Sequence, residues 1–172
     1  MKNLSIYDFM DEHNACEPGR RWVAEMGFTT CHETFEALCN GKSGENGYGW
    51  ALWFATRPGV LNQHELVGFA AWCARRVAYL LTDERSVKAL ELAERFAAGK
   101  KIPIDELKEA AAVAVDATRV SRAAHAARNA ARDSADTAWT AADAASDPDA
   151  ERLAQLEHLR EIVRFEEAEA LL

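Results

Sequence analysis

The most constraining feature of the sequence is a long stretch without a helix-breaking residue. From Pro103 to Ser146 there is no glycine and no second proline, and 17 of the 44 residues are alanine. Alanine has the highest intrinsic helix propensity of the common residues. The stretch predicts one long helix, about 65 Å in length if it is continuous. Asp147 and Pro148 then predict a break and the first turn of a last helix.

Helix start and stop signals also recur in the earlier part of the chain. Ser5, Thr30 and Asn62 are each followed three positions later by a carboxylate, a spacing typical of helix N-termini. Pro18 predicts the first turn of a helix that ends at Gly27. Because alternation of apolar and polar residues is nearly absent, we expect an all-α fold.

Two segments in this part give more specific expectations. Residues 41–49 contain four glycines, a composition that predicts a mobile loop before a short apolar helix at residues 50–56. The helix that starts after Asn62 keeps its apolar spacing as far as Leu81, so we expect it to continue to that residue. Asp83 then predicts the N-terminus of the next helix.

The aromatic residues divide the chain into two expected domains, 1–102 and 103–172. Thirteen of the fifteen lie in the first domain, which should hold the bulky core as a compact multi-helix domain. The second domain, a long Ala-rich helix and a C-terminal helix, must pack through small side chains. We predict a face for helix packing or for a homodimer that consists of Val120, Ala124, Ala127, Ala131 and Ala138.

Charge is distributed as unevenly as the aromatic residues. The net charge is −8; residues 1–102 carry 12 basic against 13 acidic side chains, and residues 103–172 carry 8 against 15. Proteins that bind nucleic acid directly usually have a basic excess. Direct nucleic-acid binding is therefore not expected.

Acidic residues surround the single tryptophan of the second domain. Asp133, Asp136 and Asp143 fall on one face of a helix, with Trp139 on its margin. A tryptophan commonly anchors a protein interface, and charges around it steer the partner. We predict a binding surface for a protein with a basic surface, made of Asp133, Asp136, Trp139, Asp143, Asp147, Asp149 and Glu151. The alternative is a tryptophan packed on the last helix among solvated carboxylates.

The sequence contains no local signature of a common catalytic mechanism. Gly41-Lys42-Ser43 lacks the upstream glycine of a phosphate-binding loop. Zinc or nucleophilic chemistry would have to combine cysteines and histidines from distant positions, namely His13, Cys16, Cys31, His32, Cys39, His64 and Cys73. No CxxC pair occurs, and free cysteines are often buried apolar residues. We predict no enzyme activity, cofactor or metal, with a cryptic Cys/His site as the alternative.

The expected location is cytoplasmic. No apolar run approaches the roughly 20 residues needed to cross a bilayer, so no membrane partner is expected. Residues 1–14 include Asp8, Asp11 and Glu12, where a secretory signal would need an uninterrupted apolar segment. The cysteines are accordingly expected to be reduced thiols.

Several segments together resemble a known family. They are Trp72-Cys-Ala-Arg-Arg-Val, Leu80-Leu-Thr-Asp-Glu-Arg-Ser, Ala89-Leu-Glu-Leu-Ala-Glu-Arg-Phe-Ala-Ala-Gly-Lys100, Glu106-Leu and the Ala-rich helix. This region, residues 64–145, resembles the immunity-protein domain family, which is helical and found in bacterial and phage genomes. Further upstream, His13-Asn-Ala-Cys16, Gly19, Trp22 and Phe28-Thr-Thr resemble small phage-encoded proteins that carry this domain.

The resemblance implies a non-catalytic protein that inhibits a partner by surface binding. The first expectation is a phage-encoded inhibitor of a bacterial defence complex that binds nucleic acid, acting in the cytoplasm of the bacterial host. The alternative is an immunity protein that neutralises a bacterial toxin. The family supplies no catalytic residues that could be transferred to this chain.

Overall fold

A computed structural model describes residues 4–113 and 134–165 of the chain. Across these two ranges the regular elements are helices, together with one isolated β-bridge between Ser5 and Thr30. The predicted all-α fold is confirmed. The α-helices are α1 (Ile6–Glu12), α2 (Glu17–Met26), α3 (Cys31–Cys39), α4 (Gly47–Ala55), α5 (Gln63–Arg76), α6 (Glu84–Ala97), α7 (Ile104–Val113), α8 (Ser134–Ala144) and α9 (Pro148–Ile162).

Local capping explains where several helices begin. At α3 the Thr30 hydroxyl accepts a hydrogen bond from the Glu33 N–H at 3.2 Å, and the Glu33 carboxylate accepts one from the Thr30 N–H. Asn62 and Glu65 form the same reciprocal pair at α5, and Asp83 caps α6. Ser5 differs, because α1 follows it but its side chain makes no capping bond. These pairs satisfy N–H groups that a helix N-terminus otherwise leaves unpaired.

The glycine-rich segment is more ordered than predicted. A 3-10 helix occupies Gly44–Asn46, and α4 begins at Gly47 rather than at Trp50. A Cβ at Gly47 would lie only 2.4 Å from the Ser43 hydroxyl oxygen, so this glycine permits close packing. The prediction of a loop over residues 41–49 is therefore wrong from Gly44 onwards.

The helix after Asn62 is shorter than predicted. α5 ends at Arg76, and a 3-10 helix, Ala78–Leu80, follows it. The N–H of Val77 bonds to the carbonyl of Ala74 at 3.3 Å, a spacing of three residues that tightens the last turn. Tyr79 is left 68% exposed as a result.

The chain forms two compact units, and unit 1 comprises residues 4–61 and 159–165 of the described chain. Its core is aromatic: the Phe54 ring lies 4.5 Å from Phe9 and 5.1 Å from Phe35, centroid to centroid. Phe165 stacks on His32 at 4.8 Å. The Arg160 guanidinium also pairs with Glu36 at 2.7 Å. Residues 159–165 therefore pack with residues 4–61 in this unit.

Unit 2 comprises residues 62–113 and 134–158 of the described chain. α5 packs against α6 and α8, and α7 packs against α6. The α5–α6 approach is close, since a Cβ at Gly68 would lie 3.4 Å from the Ala97 Cβ. The expected domain boundary between residues 102 and 103 lies inside unit 2. At this position the amino-acid composition changes, but the two compact units do not separate.

The Ala-rich part of the sequence is described only near its ends, by α7 and α8. On α8, Ala138, Ala141 and Ala142 are fully buried, so Ala138 serves helix packing within the chain. The other members of the predicted alanine face lie outside the described residues, as does the middle of the predicted long helix; they are Val120, Ala124, Ala127 and Ala131. Self-association through that face stays a prediction. None of the described helices combines the length and apolar character of a membrane span.

Candidate functional site

The predicted partner-binding surface centres on Trp139, which projects from the margin of α8. The buried side of this helix includes Thr137 and Ala138, both with no exposed area. Trp139 itself is 40% exposed. Asp136 and Asp143 of the same helix are exposed as well, so Trp139 lies on the solvent-facing side of α8. Tryptophan is enriched among the residues that dominate binding energy at protein interfaces.

The guanidinium of Arg152, on α9, lies over the Trp139 ring at 5.5 Å from the ring centroid. The same guanidinium pairs with Asp143 at 3.1 Å and with Asp149 at 3.0 Å. A cation above an indole face is attracted by the ring quadrupole. The Asp149 side chain is 92% exposed and the Asp143 side chain 47% exposed, so each pair contributes at most about 1 kcal/mol. Tryptophan, arginine and the two carboxylates form one contiguous surface group.

Two of the other four predicted acidic residues lie close in sequence to this group. Asp136 lies three positions before Trp139 on α8 and is exposed. Asp147 accepts a hydrogen bond from the Ala150 N–H at 3.1 Å and thereby caps α9. Asp133 lies outside the described residues. We call the set Asp136, Trp139, Asp143, Asp147, Asp149 and Arg152 the Trp139 surface.

Glu151 does not belong to the Trp139 surface, and its prediction as a binding residue requires correction. The residue is only 6% exposed. Its carboxylate oxygens lie 2.8 and 2.9 Å from the Arg76 Nε, and Oε1 also accepts a hydrogen bond from Gln155 at 3.1 Å. Because its oxygens already accept hydrogen bonds from side chains of unit 2, Glu151 is a structural residue.

The partners of Glu151 form an aromatic and polar cluster between α5 and α9. The Arg76 guanidinium lies 4.8 Å from the Trp72 ring centroid. On the same tryptophan, His158 stacks at 4.2 Å with an angle of 22° between the rings. The cluster joins residues of two helices that are far apart in sequence. It packs the part of α9 that belongs to unit 2 against α5.

Sequence reasoning missed Arg152, although one signal for it was present. Arg152 follows Asp149 by three positions, a spacing that places both side chains on one face of α9. The Asp143 partner depends on the turn between α8 and α9, which brings residues nine positions apart together. The pairing of Arg152 with Asp149 could therefore be predicted from the sequence. The position of the Arg152 guanidinium over Trp139 depends on the fold.

The cysteines divide into three buried thiols and one exposed thiol. Burial raises the pKa of Cys31 to about 11 and that of Cys39 to about 12, and burial also raises the pKa of Cys73. At neutral pH these three are protonated, and a protonated thiol is a poor nucleophile and metal ligand. Within residues 4–113 and 134–165, no three His, Cys, Asp or Glu side chains are grouped to hold a metal ion.

Comparisons with known proteins provide no assignment for this surface. No protein-family model matches the sequence, and neither curated proteins nor solved structures gave a significant match. The resemblance of residues 64–145 to the immunity-protein domain family therefore stays a prediction.

Proposed function

We propose that the protein binds another protein through the Trp139 surface and inhibits it without catalysing a reaction. One observation carries this proposal: the half-exposed Trp139 lies under the guanidinium of Arg152, which pairs with Asp143 and Asp149. Tryptophan and arginine are both enriched among residues that dominate binding energy.

The charge of the Trp139 surface supports a partner with a basic surface. The surface contains four aspartates and one arginine, so it remains acidic although Asp143 and Asp149 are paired with Arg152. Acidic groups around an anchor accelerate encounter with a basic partner. A groove that binds nucleic acid presents such a surface, and a protein that occupies it excludes the nucleic acid. This charge, together with the resemblance of residues 64–145 to the immunity-protein domain family, leads us to propose a nucleic-acid-binding complex of bacterial defence as the partner and the host cytoplasm as the place of action.

A bacterial toxin with a basic active site is the alternative partner. The same physical argument applies to it, since an immunity protein also blocks its target by covering a charged surface. Co-expression distinguishes the two partners. Protection of cells from a co-expressed toxin supports the immunity role, and restored plaque formation on a strain with an active defence complex supports the phage role.

The binding surface is tested with matched baits in affinity capture from the host. The partner captured by the wild-type protein should be lost with Trp139→Ala and retained with Tyr79→Ala. Tyr79 is a suitable control because it belongs to the same unit and is more exposed than Trp139, at 68% against 40%. Both variants must keep the helical circular dichroism spectrum and melting temperature of the wild type.

Kinetic measurements with the captured partner then distinguish the contribution of Trp139 from that of the acidic residues. Trp139→Ala should raise the dissociation rate, with a loss of about 2 kcal/mol or more in binding free energy. Asp136→Lys should instead lower the association rate and weaken its dependence on salt. Unchanged kinetics in both folded variants would show that the contact surface lies elsewhere.

A further inference from the structure

Unit 1 contains an apolar pocket that the proposed function does not use. It lies among α1, α2, α3 and α4 and has a cavity volume of about 220 Å³. The rings of Trp22, Trp50 and Trp53 contribute to its walls. The lining includes the exposed Cys16 and the buried Thr34, so the pocket extends from the protein surface into the core.

The space in the pocket is maintained by a glycine and by packed rings. A Cβ at Gly19 would lie 3.5 Å from the Cys16 Sγ and 3.9 Å from Cε2 of Trp50, so any longer side chain there would enter the pocket. The Trp22 ring lies 5.7 Å from Trp50 and 5.4 Å from Phe28, centroid to centroid. These ring contacts restrain Trp22, which forms one wall of the pocket.

The size of the pocket limits the ligands that it can admit. A dry apolar cavity of about 150 Å³ is large enough to bind benzene. This pocket is larger, at about 220 Å³, and therefore has room for two fused aromatic rings. A void of this size lacks the dispersion contacts of a close-packed interior, and a ligand of matching shape would restore them.

The chemistry of the lining limits the ligand further. No lining residue carries a formal charge, so a charged ligand would lose its hydration without gaining an ionic partner. The Thr34 hydroxyl donates a hydrogen bond to the Thr30 carbonyl at 2.9 Å. Its oxygen keeps acceptor capacity, and Thr34 is the buried hydroxyl residue among those that line the pocket. A ligand with one N–H or O–H donor suits this arrangement.

We propose that this pocket is a binding site for a small neutral aromatic molecule of one or two fused rings. The rings lie among Trp22, Trp50 and Trp53, and a single N–H or O–H group donates a hydrogen bond to Thr34. The site is formed by unit 1, whereas the Trp139 surface belongs to unit 2. The two proposals can therefore be tested separately.

Indole and benzofuran are the probes, because they have the same shape and only indole has an N–H donor. Titration calorimetry measures their affinities, and the alkylation rate of Cys16 by N-ethylmaleimide reports occupancy near the exposed thiol. Indole should bind more tightly than benzofuran and slow the alkylation of Cys16. Absence of binding by both probes up to their solubility limits overturns the proposal.

Two variants identify the site. Gly19→Leu should fill the pocket and weaken indole binding by about tenfold or more, whereas the matched Gly19→Ala control should retain it. Thr34→Val should weaken indole binding by about threefold to tenfold and leave benzofuran binding unchanged. Equal indole affinity in wild type and a folded Gly19→Leu overturns the assigned site. An unchanged preference for indole in Thr34→Val overturns the assigned hydrogen bond.

Two further ligands test the chemical class. Indole-3-acetate adds a charge and n-octanol replaces the rings with a flexible chain, so both should bind more weakly than indole. Tighter binding of indole-3-acetate contradicts a neutral ligand. Tighter binding of n-octanol than of indole would show that the pocket prefers aliphatic chains and would overturn the aromatic class.

Discussion

Removing the buried carboxylate of Glu151 should destabilise unit 2 strongly. The change Glu151→Ala eliminates two close contacts with the Arg76 Nε and the hydrogen bond from Gln155. Loss of one partner of a fully buried ion pair costs about 3–5 kcal/mol. The Arg76 side chain is 40% exposed and can be rehydrated, so we expect a smaller cost of about 2–3 kcal/mol.

A double-mutant cycle isolates the contribution of the pair. Urea unfolding of wild type, Glu151→Ala, Arg76→Met and the double variant gives the coupling free energy, provided that circular dichroism and tryptophan fluorescence report coincident transitions. Methionine keeps an apolar side chain beside Trp72 and removes the charge. We expect a coupling of about 1–2 kcal/mol, whereas exposed pairs give about 0.2–1 kcal/mol. A coupling below about 0.5 kcal/mol would refute the structural role assigned to Glu151.

Three further predictions concern the thiols, the alanine packing and the response to acid. A chromogenic disulfide reagent at pH 8 should titrate one thiol rapidly, that of Cys16, and a second equally fast thiol would contradict the burial of the other three. Ala138→Leu should lower the free energy of unfolding by about 1–3 kcal/mol through overpacking, and the exposed Ala150→Leu by less than about 0.5 kcal/mol; similar values for both would show that α8 is not closely packed. The hydrogen bond from the Arg85 side chain lowers the pKa of Asp83 from 3.8 to about 2, so its stabilising effect is present above pH 3.8 and is lost as the pH falls towards 2. Asp83→Asn should therefore make stability less dependent on pH in this window, and identical pH profiles would argue against the assigned cap.

Features encoded by neighbouring residues were predicted from sequence most successfully. The cap formed by Thr30 and Glu33 involves residues three positions apart, and the same holds for Asn62 and Glu65. Such pairs depend on local geometry alone. The start of α4 was not predicted, because the role of Gly47 depends on the nearby Ser43 hydroxyl rather than on its intrinsic flexibility.

Two adjacent residues show why the candidate surface could be predicted only in part. Glu151 and Arg152 follow each other on α9, but one is buried against Arg76 and the other lies over Trp139. The partner of Glu151 is 75 positions away in sequence, and no local pattern identifies it. Charge alone placed Glu151 on the surface, whereas the fold places it inside unit 2.

The tryptophan-lined pocket was likewise not evident from the sequence. Trp22, Trp50 and Trp53 fit the expectation of a bulky core in the first domain. Whether packed aromatic residues leave a void depends on the relative placement of four helices, and periodicity carries no information about it. In the sequence, Gly19 contributes only to a family resemblance, and its proximity to Cys16 and Trp50 depends on the fold.

The discontinuous composition of unit 1 has a consequence for the order of events during synthesis. Residues 4–61 leave the ribosome long before residues 159–165, which complete the same unit. Arg160 and Glu36 are separated by 124 positions, and Phe165 reaches His32 over a greater distance along the chain. The helices of residues 4–61 therefore keep part of their aromatic core uncovered until all of unit 2 has been translated. Chaperone dependence of the nascent chain should fall only when this last segment has emerged.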